Sequence, residues 1–199
     1  MSTMEWWSLS LLCFAGAISP GPSWIIIVTM SASRGVFVGV SAALGHGLGI
    51  SSFAFITIFG LSSIINLYPE ISVLLNLIAI ILLAYFGYSL LRSGQSPLPE
   101  TMSKGWGFLA GFSLAIVNPK VLIFFIAIFD PFVDPTQELQ TKISMGLLAG
   151  GIDASVYFSV AVLATILKNY LNSTFFLRTN KALGALLMFS AAWLFWKFV

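Results

Sequence analysis

Two short stretches decide how this chain folds: AISPGPSW at residues 17–24 and IVNPKV at residues 116–121. Each lies in the middle of a long apolar segment. Each places a side chain that favours helix N-caps, Ser19 or Asn118, directly before a proline. Proline is tolerated at the first position of a helix, because the N–H that it lacks has no partner there. Both stretches therefore predict that one helix ends and a new half-helix begins.

The composition around these stretches is that of a membrane protein. Of the 199 residues, 58% are apolar and only 8% are charged, against about 25% charged residues in ordinary soluble domains. Nine basic and seven acidic residues cannot cover a soluble domain of this length. This excludes a cytosolic enzyme, a disordered chain and a secreted disulfide scaffold. The single cysteine, Cys13, excludes an intramolecular disulfide and a redox enzyme that works through a dithiol.

Charged and turn residues divide the chain into six apolar segments, each close to the roughly 20 residues that a membrane-spanning helix requires. The segments cover residues 6–33, 35–61, 71–91, 105–129, 143–167 and 182–198. None of them alternates with period two, so we expect an all-α membrane protein. The residues before the first segment include Glu5 but no Lys or Arg. We therefore expect this segment to be a permanent helix and not a cleaved signal.

The two broken segments are the first and the fourth, which predicts an internal repeat. We expect a single transmembrane transporter domain at 1–199, with one three-helix repeat at 1–92, a cytoplasmic loop at 93–104 and a second repeat at 105–199. Because each half has an odd number of helices, the two halves are inserted in opposite orientations. Inverted halves with broken first helices are typical of secondary transporters. The alternative is that the prolines only kink ordinary membrane helices.

The distribution of Lys and Arg predicts the orientation in the membrane. Six of these residues lie in the loops after the first, third and fifth segments: Arg34, Arg92, Lys104, Lys168, Arg178 and Lys181. Two lie on the opposite side, at Lys142 and Lys197. We therefore expect a multi-pass protein of the bacterial inner membrane with both termini outside the cytoplasm.

Lys120 directly follows the second break, inside an apolar segment where a lysine costs about 2.5–3.5 kcal/mol to insert. Its charge adds to the partial positive charge of a half-helix N-terminus. The first break offers further backbone N–H groups, and Gly21 allows a ligand to approach the backbone closely. These features predict a site for a carboxylate near the midplane. The predicted substrate-binding residues are Ser19, Pro20, Gly21, Pro22, Ser23, Asn118, Pro119 and Lys120.

Asp153 and His46 are the other strongly ionisable groups within the segments. When Gly39 is aligned with Gly146, His46 and Asp153 occupy the same position in the two repeats. A buried acid can hold a substrate ammonium or carry a proton, and histidine titrates near physiological pH. We expect this pair to couple transport to a proton or an ammonium, with Lys120 as the partner of Asp153. The alternative for His46 is a hydrogen bond to a neighbouring helix.

Two groups of residues carry a resemblance to a known family. The first is Pro20-Gly21-Pro22 followed by Gly35, Gly39, Gly45 and Gly49, and the second is Asn118-Pro119-Lys120 followed by Phe124-Phe125 and Pro131-Phe132-Val133. Together they resemble the two signatures of the LysE/RhtB family of amino-acid exporters, over essentially the whole chain. The resemblance implies export of small amino acids or their derivatives, coupled to proton influx. It also implies a role for Asp153, which is similar to an acid often found in the fifth helix.

The sequence therefore predicts an exporter of small neutral amino acids, such as threonine, homoserine or leucine-like compounds, and not an enzyme. The predicted site has no second acid, which disfavours a dibasic substrate. The alternatives are an exporter of metal ions or other small solutes with the same fold, or a membrane scaffold protein that transports nothing. We expect an amino acid, a proton and the lipid bilayer as partners, with no nucleic acid, no cofactor and no bound metal. A homo-oligomer is left open.

Overall fold

The computed structural model describes residues 1–19, 21–61, 69–92, 106–125, 129–170 and 173–198. These ranges are helical and contain no strand, in agreement with the predicted all-α class. Pro20 and the predicted cytoplasmic loop at 93–104 lie outside the described residues. The α-helices in these ranges are α1 (Thr3–Ile18), α2 (Pro22–Arg34), α3 (Val36–Ile56), α4 (Pro69–Arg92), α5 (Gly107–Ile116), α6 (Pro119–Phe124), α7 (Leu139–Ile166) and α8 (Ser173–Phe198).

Within the described residues, two helical stretches are by themselves long and apolar enough to cross a membrane. They are Val36–Gly60, where a π-helical turn extends α3, and α7. The α1–α2 pair adds a third span if its two helices are counted as one. The sixth predicted segment began at residue 182, but α8 begins at Ser173. The apolar run marked only the C-terminal part of this helix, since polar residues such as Arg178 continue it towards its N-terminus.

Both predicted helix breaks are present. The axes of α1 and α2 differ by 60° across the first break. At the second break, α5 ends at Ile116 and α6 begins at Pro119. The chain also turns between the first two predicted segments, where Gly35 ends α2 with a φ of +93°. Only glycine adopts this conformation without strain.

The helix α3 packs against α5 on one side and α7 on another, through positions without side chains. A Cβ atom at Gly111 would collide with the backbone of Ala42, and one at Gly47 would collide with α7 at Gly150. Such small residues allow helices to approach closely in a membrane. The contacts also give the helix directions. Gly39 meets Ala161 while Phe55 meets Gly146, so α3 and α7 are antiparallel.

The helices α4 and α8 form a second packing unit, in which Gly87 and Gly184 approach each other's backbone carbonyls. Gly87 also meets Met188, and Gly184 meets Leu91, so this pair is antiparallel too. The pair touches the rest of the bundle through an apolar cluster. Its buried members are Ile25, Leu83, Leu187 and Ala191, with Trp24 and Ile123 among the residues packed against them. The half-helices α2 and α6 therefore connect both breaks to the α4–α8 pair.

Candidate functional site

Asn118 forms the N-cap of α6, as the sequence predicted. Its side-chain oxygen accepts a hydrogen bond of 3.0 Å from the backbone N–H of Lys120. Pro119 occupies the first helical position, where its missing N–H has no consequence. The second break is therefore stabilised by residues of its own segment, and Asn118 is buried with 5% of its surface exposed.

The first break is built differently, and the predicted N-cap role of Ser19 is wrong. Ser19 is the C-cap of α1, and its backbone N–H donates to the carbonyl of Ala15. The N-cap of α2 is Gly21, which offers no side-chain hydrogen bond, and Pro22 is the first helical residue. The N-terminus of α2 thus has no side-chain cap.

Two hydrogen bonds connect the breaks to each other. The ammonium of Lys120 donates to the backbone carbonyl of Ser19, at the C-terminus of α1. The amide nitrogen of Asn118 donates to the hydroxyl of the fully buried Ser23, in the first turn of α2, over 2.7 Å. The side chain of Lys120 also passes beside Gly21, where an added Cβ would lie 3.3 Å from its Cδ. The second break therefore supplies the partners that the first break lacks.

His46 and Asp153 meet where α3 crosses α7. Nδ1 of His46 lies 2.7 Å from Oδ2 of Asp153, and the two residues are 1% and 5% exposed. The expected pairing of Asp153 with Lys120 is therefore corrected, since the carboxylate bonds to the imidazole instead. The ring of Tyr157 stacks on His46 with centroids 4.4 Å apart. Among the described residues no group hydrogen-bonds Nε2 of His46, although this atom is buried.

One cavity brings Lys120 and the His46–Asp153 pair together, in a volume of about 40 Å³. At about 10–15 Å³ for each water, it has room for roughly three waters. It is too narrow for an amino acid in this conformation, since a cavity that binds benzene measures about 150 Å³. The lining residues are Cys13, Gly16, Ala17, His46, Ile50, Asn118, Lys120, Val121, Phe124, Ala149, Asp153 and Tyr157.

The cavity brings together four of the predicted site residues: Asn118, Lys120, Asp153 and His46. Four others do not line it, namely Ser19, Gly21, Pro22 and Ser23. Ser19 and Ser23 are joined to the cavity by their bonds to the second break, and Pro119 begins the helix that carries Lys120.

The sequence analysis missed Tyr157, Cys13 and Phe124, which also line the cavity. Tyr157 could have been found, because it lies four residues after Asp153 and residues with this spacing share a helix face. Phe124 packs on Gly16, where an added Cβ would lie 3.0 Å from the ring. No local signal in the sequence indicates this contact between α1 and α6.

Comparison with known proteins agrees with the predicted resemblance. Residues 14–197 match the LysE type translocator family. The chain is 29% identical to the uncharacterized membrane protein PA4757 of Pseudomonas aeruginosa over 140 residues, which are 66% of this chain and 65% of that protein. It is 25% identical to the leucine efflux protein of Salmonella typhimurium over 168 residues, with 81% and 79% of the two chains covered.

A third relative is the threonine efflux protein of Escherichia coli, which is 27% identical over 134 residues, or 63% of this chain and 65% of that protein. No solved structure matches the chain. The family match includes both helix breaks, Lys120 and the His46–Asp153 pair, and only 15 residues of the chain fall outside it. This chain therefore belongs to the LysE type translocator family.

Proposed function

We propose that this protein is a secondary transporter that exports small neutral amino acids in exchange for protons. One observation carries the proposal: a single buried cavity at two helix breaks contains a cation, Lys120, and a hydrogen-bonded His46–Asp153 pair. A zwitterion needs both kinds of group, one for its carboxylate and one for its ammonium. The relatives named for leucine and threonine efflux support an amino acid as the substrate.

We propose further that the chain crosses the membrane six times in two inverted halves, 1–92 and 105–199. The antiparallel packing of α3 with α7 and of α4 with α8 supports this, because equivalent helices of inverted halves run in opposite directions. The parallel packing of α3 with α5 also agrees, as Gly107 meets Val38 and Gly49 meets Ala115. In each half, the helix after the break contacts the α4–α8 pair.

In this proposal the substrate carboxylate binds between Lys120 and the first turn of α2. The N-terminus of α2 carries partial positive charge and has no side-chain cap, so the backbone N–H groups of Ser23 and Trp24 are suitable donors. Lys120 adds a full positive charge beside Gly21, and its present acceptor is only the neutral carbonyl of Ser19. A carboxylate is the stronger acceptor, because a hydrogen bond between two charged groups is stronger than one to a neutral carbonyl.

The apolar part of the cavity wall is suited to the side chain of a neutral amino acid. It contains Ile50, Val121 and Phe124 together with the small residues Gly16 and Ala17. The cavity must widen before leucine or threonine fits, because its present volume is about 40 Å³. The contact between Phe124 and Gly16 is a suitable place for this, since a ring can rotate away from a position that has no side chain.

The orientation that we propose places both termini outside the cytoplasm, in the inner membrane of a bacterium. Single cysteines at Ser2 and at Gly94, introduced into Cys13→Ser protein, should react with an impermeant thiol reagent from opposite sides of the membrane. Reaction from the same side would contradict the six-helix arrangement. The cytoplasmic loop at 93–104 belongs to this proposal as well.

The function is tested with purified protein in vesicles that carry a pH gradient and a panel of labelled amino acids. We expect leucine or threonine to accumulate against its gradient when protons move the other way, and not when the gradient is abolished. Lys120→Met should reduce this flux strongly, whereas the control Lys181→Met, at an exposed position on α8, should not. If no member of the panel moves, the metal-exporter and scaffold alternatives are favoured instead.

A further inference from the structure

Nε2 of His46 is a buried hydrogen-bonding atom for which the described part of the chain supplies no partner. A carboxylate can only accept, so a neutral ring paired with Asp153 through Nδ1 carries its proton on Nδ1 and presents a lone pair at Nε2. A buried acceptor without a donor is costly, and His46 lines the cavity. The atom is therefore ready to accept a hydrogen bond from a ligand that enters this cavity.

Among the described residues around His46, none donates a hydrogen bond to Nε2. On α7, Asp153 is already an acceptor for the ring, and Tyr157 presents its ring face to His46. On α6, the ammonium of Lys120 donates to Ser19. Cys13 of α1 lines the same cavity, and its thiol is only a weak donor. The helix α5, which packs on the glycine face of α3, contains no titratable residue.

We propose that Nε2 of His46 is the one acceptor shared by the substrate ammonium and the transported proton; this rests on the transport function proposed above. When the ring is neutral, Nε2 accepts a hydrogen bond from the ammonium of the amino acid. When a proton binds Nε2, the lone pair is lost and the ring becomes a cation that repels the ammonium. Proton and substrate therefore exclude each other, which is the requirement for exchanging one for the other across the membrane.

Asp153 is a positioning residue in this scheme. Its carboxylate holds the neutral ring in the tautomer that leaves Nε2 free, and it stabilises the ring cation when the proton is bound. The only bond that forms and breaks is the N–H bond at Nε2. The proton enters from one side of the membrane onto Nε2, and it leaves to the other side before an ammonium takes its place.

The first test needs only the wild-type protein and its affinity for leucine and threonine as a function of pH. In the acidic range where the affinity falls with pH, each further unit should weaken binding about ten-fold, as expected for competition with one proton, while the number of sites stays constant. Substrate binding in weakly buffered solution should release close to one proton. Affinity that does not depend on pH, or a loss of sites without a change in affinity, would overturn the proposal.

Two matched variants separate the two roles of the ring. In His46→Gln, the amide can donate to Asp153 and still offer an oxygen near the position of Nε2, but it takes up no proton. We expect its affinity for the amino acid, whatever its value, to be independent of pH, and accumulation driven by a pH gradient to be lost. His46→Asn keeps a donor for Asp153 and has no group at the position of Nε2, so binding should weaken roughly ten- to a hundred-fold.

The outcomes distinguish this inference from the function on which it rests. If the wild-type protein neither binds nor transports any amino acid, both the proposed function and the shared acceptor are refuted. If the wild type transports and His46→Gln still accumulates substrate from a pH gradient, the function stands and the shared acceptor is refuted. If His46→Asn binds as tightly as the wild type, Nε2 does not touch the ammonium. Thermal unfolding of both variants in detergent checks that they are folded.

Discussion

The two helix breaks have similar sequences and opposite roles in stability. The helix after the second break is capped by a residue of that break, because Asn118 accepts from the N–H of Lys120. Asn118 and Lys120 also donate one hydrogen bond each to the first break. The first break has a glycine N-cap, and Gly21 contributes no side-chain hydrogen bond to α2. Its main-chain carbonyl at Ser19 and its hydroxyl at Ser23 accept these two bonds. The geometry of the first break therefore depends on the second.

This difference suggests how a ligand can act on the hinge between α1 and α2. A substrate that draws Lys120 away from Ser19 removes one of the two bonds that hold the first break. The second break keeps its own cap while this happens, so one side of the site is fixed and the other is free to move. Each substitution predicted below removes a side-chain group at one of the two breaks and tests this difference between them.

The largest effect is expected for Lys120→Met. Loss of a charge-assisted contact of about 1.5–3 kcal/mol should weaken amino-acid binding by roughly ten- to a hundred-fold. The amide of the same amino acid has no carboxylate. It should bind poorly to the wild type, and its affinity should fall little further in the variant. Such non-additivity is the sign of two groups in contact. Equal losses for acid and amide would mean that Lys120 does not touch the carboxylate.

Asn118→Ala should be the most destabilising substitution at either break. It removes the cap of α6, worth about 0.5–2 kcal/mol, and the bond to Ser23, worth about 0.5–1.5 kcal/mol. Unfolding in detergent should show a loss of about 1–3 kcal/mol. Asn118→Asp is the matched control, because it keeps the cap oxygen and cannot donate to Ser23. A stability of Asn118→Ala equal to that of the wild type would contradict the role of the second break.

Ser23→Ala should have an intermediate effect of about 1 kcal/mol, because it leaves the buried amide of Asn118 without its acceptor. The double variant, Ser23→Ala with Asn118→Ala, should lose less free energy of unfolding than the sum of the losses in the two single variants. Unfolding of the two single variants and the double variant in the same detergent measures this coupling. Additive losses would show that the bond across the breaks contributes nothing.

The smallest effect is expected for Ser19→Ala, which alters stability by no more than about 0.5 kcal/mol. The bond from Lys120 ends on the backbone carbonyl, which alanine retains, and the hydroxyl caps no helix. The sequence pattern alone predicted similar roles for Ser19 and Asn118. If Ser19→Ala lost as much stability as Asn118→Ala, the two residues would have similar roles after all, which would contradict the structure.

The sequence predicted those features that depend on neighbouring residues. The cap at Asn118 was predictable because the side chain and the N–H that it binds are two residues apart. The cap at Ser19 failed for a local reason as well, since Pro22 sets the start of α2 and moves the N-cap to Gly21. The general preference of serine for N-cap positions gives no indication that Pro22 moves the N-cap to Gly21.

Contacts over long distances in the chain were not predicted. Aligning Gly39 with Gly146 gave a rule that made His46 and Asp153 equivalent positions, but Lys120 was the expected partner of Asp153, and the 2.7 Å contact is with His46. The bonds from Lys120 to Ser19 and from Asn118 to Ser23 follow from no such rule. They depend on how closely α1, α2 and α6 approach, which the packing of small residues along the whole bundle decides.

The small size of the cavity has a consequence for the volume of the protein. If leucine is the substrate, as proposed above, the cavity of about 40 Å³ must expand to admit it. Hydrostatic pressure favours the state of smaller volume. Compression should therefore hold the protein in its closed form and slow the exchange of amino acids. Because leucine is larger than threonine and needs a wider cavity, its exchange should be the more sensitive of the two to pressure.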